Sequence, residues 1–356
     1  MNSRSALVLA FTVLVVVALG LLALGHVGCG GSQPRVVLYC AQDREFADAA
    51  LAEFKQRSGV TVAPKFDTEA DKSVSLYVEL VNEAEAGRPR CDVFWNNEIL
   101  STIRLQRRGL LEPYESPSAQ PFPAFTRPGD RTWQAFAERA RVLLVNTKLV
   151  PEKDWPRSLF DLTGPRFKDG VVMAKPQFGT TATQAACLFE VLGEEEAKRF
   201  YRALRDNGLQ VVQGNKQVAT GVGEGKFAVG MTDTDDAIAE VKDGRPVAII
   251  FPDRDGHPDH PRMGTLFIPN TLALIKGGPH PGHGRKLIDF LLSAEVEKKL
   301  AESASHQMPL NPEVRAELPP QIETRRTVKP MAVDWDRAAD LWDRVQTFLA
   351  QEIAKP

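Results

Sequence analysis

From Val36 onward, short apolar runs alternate with amphipathic stretches of helical period, and this alternation restricts the chain to an α/β architecture with parallel-type sheets. Val36-Val-Leu-Tyr-Cys40 reads as a buried strand. Arg44–Ser58 reads as a helix with Phe46, Ala50, Leu51 and Phe54 on one face and Gly59 as its stop. Val60–Phe66 is a second strand. Ser73–Ala86 is a helix with Val74, Tyr77, Val78 and Val81 inward, Asp92–Trp95 a third strand, and Glu98–Arg107 a helix closed by Gly109. After a proline-rich loop over 113–129 the pattern resumes. Strands are predicted at 142–146, 171–174, 210–212, 227–231, 247–251 and 267–275, and helices at 181–192, 194–206, 236–243, 284–292, 295–303 and 334–353.

With 356 residues, 43% of them hydrophobic, the chain is long enough for two lobes with cores of their own. The apolar stretches near 140–145 and 265–275 are candidates for strands that cross between the lobes, which would make a hinge with a ligand cleft. A net charge of −2 leaves no basic footprint for nucleic acid.

The first 29 residues stand apart. Arg4 precedes an apolar or weakly polar run from Ala6 to Gly25, closed by His26-Val-Gly-Cys29 and a small-residue stretch at 30–35 that serves as a linker. This segment resembles a bacterial lipoprotein signal, which implies lipidation of Cys29. The run is also long enough to span a bilayer as an uncleaved anchor, or to be removed as an ordinary export signal. All three readings place the remainder outside the cytoplasm. Cys40 ends one predicted strand and Cys91 precedes another, too far apart for a disulfide, so these and Cys187 are expected to be free thiols.

Several segments carry chemistry. The run Phe227–Met231 delivers Asp233, Asp235 and Asp236 to the end of a strand, where open α/β sheets bind ligands. Like charges this close need a cation or donors; alternatively the segment is a solvated turn with Asp236 capping the next helix. Lys175-Pro-Gln-Phe-Gly-Thr-Thr-Ala-Thr183 precedes an apolar helix. Gly179 permits close approach, Thr180, Thr181 and Thr183 offer hydroxyls, and free amides at the helix start favour an anion; the plain alternative is a cap from Thr180 or Thr181. Asp43, Asn97 and Glu98 lie at predicted strand ends, facing the cleft or capping helices. Arg139 and Arg141 alternate on one strand, suited to an ion pair or to an anionic ligand group. His257 and His260, among Asp253, Asp255 and Asp259, form either a metal-binding loop or a solvated one. His280 and His283 read as turn residues.

Ordered pieces of the chain resemble one family. They are Val37-Leu-Tyr-Cys-Ala-Gln42, Phe54-Lys-Gln-Arg-Ser-Gly-Val60, Asp92-Val-Phe-Trp95, Gly109-Leu-Leu-Glu-Pro113, Arg139-Ala-Arg-Val142, Pro269-Asn-Thr-Leu-Ala-Leu274, Leu287-Ile-Asp-Phe-Leu-Leu-Ser293 and Pro309-Leu-Asn-Pro312. The chain resembles the extracellular solute-binding proteins of ABC importers, in the branch that contains ferric-ion-binding periplasmic proteins. The resemblance implies a two-lobed periplasmic-binding-protein type II fold, with one lobe from 36–138 plus 265–303 and the other from 139–264 plus 304–356. It implies a monomer that closes on a small solute or metal ion and delivers it to an ABC permease in the inner membrane. No reaction is catalysed and no cofactor is needed; a metal ion, with or without a synergistic anion, would be cargo.

The same resemblance implies a ligand set of Asp43, Asn97, Glu98, Arg141, Gly179, Thr180, Thr181, Thr183, Asp233, Asp235 and Asp236. Ferric-binding members carry paired tyrosines where this chain has Asp235 and Asp236, so a metal would meet carboxylates instead. The alternative cargo is a small zwitterionic or phosphorylated organic solute such as an aminophosphonate, its anionic end at Gly179–Thr183 and its amine at Asp235 and Asp236. A phosphoryl-transfer enzyme is a remote third reading, since Asp233-Thr-Asp235 lacks the partner motifs such enzymes need. A membrane-anchored sensor is a further possibility.

Overall fold

β5 (Trp133–Asn146) is fourteen residues long and buried along its whole length in a computed structural model that describes residues 34–67 and 74–353. It belongs to two half-sheets. Residues 133–140 pair antiparallel with β10 (Phe267–Ile275), and residues 141–145 pair antiparallel with β8 (Val229–Asp233). The sequence pattern predicted only the second part of this strand. Glu138, Arg139 and Arg141 break its apolar run, yet each is buried, so the charges hide a strand that is interior throughout.

The first half-sheet places β1 (Arg35–Cys40) parallel to β2 (Thr61–Phe66) and to β3 (Val93–Asn96), with β10 antiparallel to β3 and β4 (Leu111–Glu112) beside β10. The second places β6 (Val171–Ala174) parallel to β7 (Gln210–Val212) and to β8, with β9 (Val247–Ile250) on β5. Parallel pairing thus holds in the outer strands of each half. The connecting strands β5 and β10 run against them.

Among the described residues ten α-helices cover the sheets: α1 (Arg44–Ser58), α2 (Val74–Glu85), α3 (Ile99–Arg107), α4 (Gly179–Leu192), α5 (Glu194–Asp206), α6 (Asn215–Gly223), α7 (Thr234–Lys242), α8 (Pro281–Leu291), α9 (Ala294–Glu302) and α10 (Trp335–Glu352). α1 ends at Gly59 with φ 69°, the left-handed stop that a glycine supplies. Val78 of α2 is 46% exposed, against the expectation that it turns inward. α6 has no counterpart in the sequence pattern. A Cβ at its Gly221 would come within 2.8 Å of the Phe227 ring. Close packing, not flexibility, selects glycine there. His283 lies inside α8 and His280 is that helix's N-cap, which corrects their reading as turn residues.

One core surrounds the first half-sheet, and two others cover the faces of the second. α10 joins them: Ala338, Ala339 and Trp342 pack in the first core, Val345, Phe348 and Leu349 in the second. Cys40, Cys91 and Cys187 are free and buried, and burial raises each thiol's pKa. Among the described residues no helix is long and apolar enough to cross a membrane. The export segment and Cys29 lie outside the described residues.

Candidate functional site

β8 runs two residues further than its apolar pattern predicts, so Asp233 is its last residue and the N-cap of α7. The extension follows from pairing. Asp233 stands opposite Arg141 in the ladder, and the two side chains form a buried ion pair at 2.9 Å. Asp235 and Asp236 occupy the first turn of α7, where negative charge complements the helix dipole. Asp236 therefore does not cap α7, as the turn reading had it. Asp233, Asp235 and Asp236 each offer a carboxylate oxygen within 4.8 Å of the others.

Two arginines of β5 keep this cluster tolerable. Arg141 is 1% exposed and donates to Asp233 Oδ1 at 2.9 Å, Asn215 Oδ1 at 3.0 Å, Gln184 Oε1 at 3.0 Å, Thr180 Oγ1 at 3.3 Å and the Met231 carbonyl at 3.3 Å. Arg139 lies 3.3 Å from Asp235 Oδ2 and donates to Gln42 Oε1 at 2.9 Å and the Asn97 carbonyl at 3.3 Å. Burial works against the Arg139 charge, but Asp235, Asp233, Asp43 and Asp236 outweigh it and hold its pKa above the ordinary value. Arg139 thus ties the first half of the molecule, through Gln42 and Asn97, to α7 in the second. Both arginines are engaged in ion pairs, the plainer of the two roles their alternation allowed.

The start of α4 faces this network. Its N-cap is Phe178, which gives no side-chain cap, so neither Thr180 nor Thr181 caps the helix. Gly179 has φ 54°, and a Cβ there would face open space. The threonine hydroxyls are engaged within the protein. Thr180 donates to Asp233 Oδ2 at 2.5 Å, Thr181 to Asn215 Oδ1 at 3.1 Å and Thr183 to Glu98 Oε2 at 3.0 Å. Glu98 is the N-cap of α3 and accepts from the Leu100 amide at 2.7 Å and the Ser101 amide at 3.0 Å. It is a cap that also reaches α4 across the halves. Asn97 is buried and is not the cap of α3. Asp43 is the N-cap of α1 but gives that helix no side-chain hydrogen bond.

A cleft of about 790 Å³ opens between the first turns of α1 and the faces of α6 and α7. Asp43 lines one wall, and Asp235 and Asp236 line the other. Seven carboxylates and two cationic side chains surround it. The surroundings favour positive charge in the ligand.

The sequence contains four tyrosines, and each is committed elsewhere. Tyr39 donates to Glu83, and burial raises its pKa. Tyr77 accepts from Arg108. Tyr114 donates to Asp289, and burial together with that carboxylate pushes it up to about 12. Tyr201 is buried in the second core. No phenolate lines the cleft.

Asn215, at the start of α6, escaped the sequence reading, yet it touches Thr180, Thr181, Arg141 and Asp233. A Gly-Asn pair at 214–215, one residue past the end of β7, was the available signal. His257 and His260 do not join a cluster with the neighbouring aspartates: among the described residues Asp233, Asp235 and Asp236 form the one such group. Both imidazoles pack on Phe160, with ring centroids 5.1 Å away in each case.

The sequence profile of the family described as bacterial extracellular solute-binding protein matches residues 101–340. The chain is 23% identical over 283 residues to the major ferric iron-binding protein of Neisseria meningitidis serogroup A, covering 78% of this chain and 82% of that one. The fold is similar to that of iron-bound HitA from Pseudomonas aeruginosa, with a TM-score of 0.76 at 21% identity over 88% of this chain and 98% of that one. It is equally similar to AfuA from Actinobacillus pleuropneumoniae with exogenous fructose-6-phosphate bound, with a TM-score of 0.76 at 23% identity over 91% of this chain and all of that one (100%). These neighbours are two-lobed periplasmic binding proteins.

Proposed function

The chain belongs to the bacterial extracellular solute-binding proteins, and from that membership we propose that it captures a cationic solute, foremost a metal ion, for an ABC importer. The observation that carries this reading is the convergence of Asp233, Asp235 and Asp236 to within 4.8 Å, with Asp235 and Asp236 on the wall of an acidic cleft and Asp233 buried behind them. Carboxylate oxygens suit hard cations. Ferric iron is the cargo named for the Neisseria relative. Here the ion would meet carboxylates in place of phenolates, which favours divalent ions over ferric iron more than tyrosine ligands do.

Closure would bring Asp43 and Asn97 toward Asp235 and Asp236, and ligand contacts to both walls would shift the population toward the closed form. The bound protein would then hand its cargo to a permease. Residues 1–29 support a position outside the cytoplasm, held at the membrane through Cys29 or through an uncleaved segment.

A second reading takes a zwitterionic or phosphorylated organic solute. The open space before Gly179 and the lack of a side-chain cap at the start of α4 favour it. Calorimetry on the full chain separates the two. Saturable heat with manganese(II) or ferric citrate, and none with 2-aminoethylphosphonate or fructose 6-phosphate, is the expected result. Heat with the organic solutes alone overturns the cation reading.

A further inference from the structure

The carboxylate of Asp233 does not serve the helix it precedes. It is the N-cap residue of α7, yet it makes no side-chain bond to that helix. It turns instead toward the start of α4. There Oδ2 accepts from the Thr180 hydroxyl at 2.5 Å and from Asn215 Nδ2 at 3.0 Å, and Oδ1 accepts from Arg141 Nη1 at 2.9 Å. A hydroxyl, a carboxamide and a guanidinium beside a helix N-terminus are the donors with which a protein holds a free oxyanion. Here all three converge on a residue that is 4% exposed.

We propose that Asp233 is a built-in anion: it fills the oxyanion place at the start of α4, so the cleft takes its cation without a separate inorganic anion. This rests on the cation reading above only for the identity of the cargo. The placement of Asp233 stands on its own bonds. A phosphate brought to the same donors would face a fixed carboxylate at hydrogen-bonding range, and like charges at that separation in a buried setting exclude one another. Asp233 thereby acts as a specificity-determining residue, rejecting free oxyanions and adding a fixed negative charge beside Asp235 and Asp236.

The test uses the full chain, wild type and Asp233→Asn, with inorganic phosphate as the anion probe and manganese(II) as the cation probe, at constant ionic strength. Asparagine keeps the shape and removes the charge. In the wild type, phosphate is expected to leave both the melting temperature and the manganese affinity unchanged. In Asp233→Asn, phosphate is expected to raise the melting temperature, and manganese affinity is expected to become dependent on phosphate by about tenfold or more. Asp233→Ser, which also vacates the space, is the second variant should the asparagine form fail to fold. Phosphate stabilising the wild type as strongly as the variants overturns the proposal, as does a folded variant that ignores phosphate. A wild type that binds no cation removes the cation reading alone, because the melting comparison still decides the role of Asp233.

Discussion

Arg141 is the residue on which the site's geometry depends. Its guanidinium is almost wholly buried, and five acceptors from β8, α4 and α6 converge on it. Removing one partner of a buried pair leaves the other charge without compensation. Arg141→Met is therefore expected to destabilise the fold by ~3–5 kcal/mol, read by denaturant unfolding. A loss under about 1 kcal/mol, the size of a surface pair, would show that the network is dispensable.

Glu138, three residues back on the same strand, gives a pH signature. Burial, opposed by Arg325 and assisted by Glu297, pushes its carboxyl up to about 7. Its folded pKa thus exceeds its unfolded one, so the folded state holds the proton more tightly. Stability is complete below about 4.5 and is lost as pH rises through about 7. The loss should be ~3 kcal/mol, and Glu138→Gln should flatten that slope in unfolding curves taken across the window. An unchanged slope in the variant would assign the dependence to other groups.

At the scale of elements, β8 and α6 hold the acidic cluster in place by close contact. A Cβ on Gly230 would lie 2.5 Å from a Val218 methyl and 2.9 Å from one of Val222. Gly230→Ala is expected to cost ~1–3 kcal/mol through overpacking. It should also weaken cation binding, because the strand that carries Asp233 must move; unchanged stability would mean α6 yields freely. Helices and strands of one clear period were legible in the sequence: α1, α5, β6, β7 and β10 have the limits the pattern predicts. Elements stabilised by tertiary partners were not. The first part of β5 hides behind buried charges, α6 behind two glycines, and the end of β8 behind Asp233. In the site, Asp43, Asp235 and Asp236 were legible as cleft residues from their strand-end positions. That Thr180 and Asn215 would spend their polar groups on Asp233 was not, since residues 53 and 18 positions away from it in sequence meet it only through the fold.

For the molecule as a whole, the two halves meet through β5, through α10 and through a few polar links. Arg139 is one such link, between Gln42 and Asn97 on one side and Asp235 on the other. Glu98 with Thr183 is another. Arg139→Gln in the ligand-free protein is expected to favour the open form and to increase the radius of gyration in small-angle scattering. An unchanged radius would place the control of opening elsewhere. The route of the chain has a further consequence, for biosynthesis. β3 needs β10 as its neighbour, yet β10 begins only at Phe267, after every strand of the second half has been made. A nascent chain of the first hundred residues therefore carries an open sheet edge and cannot complete its first half-sheet. Such a chain gains its stability late, only once Phe267–Ile275 has been made.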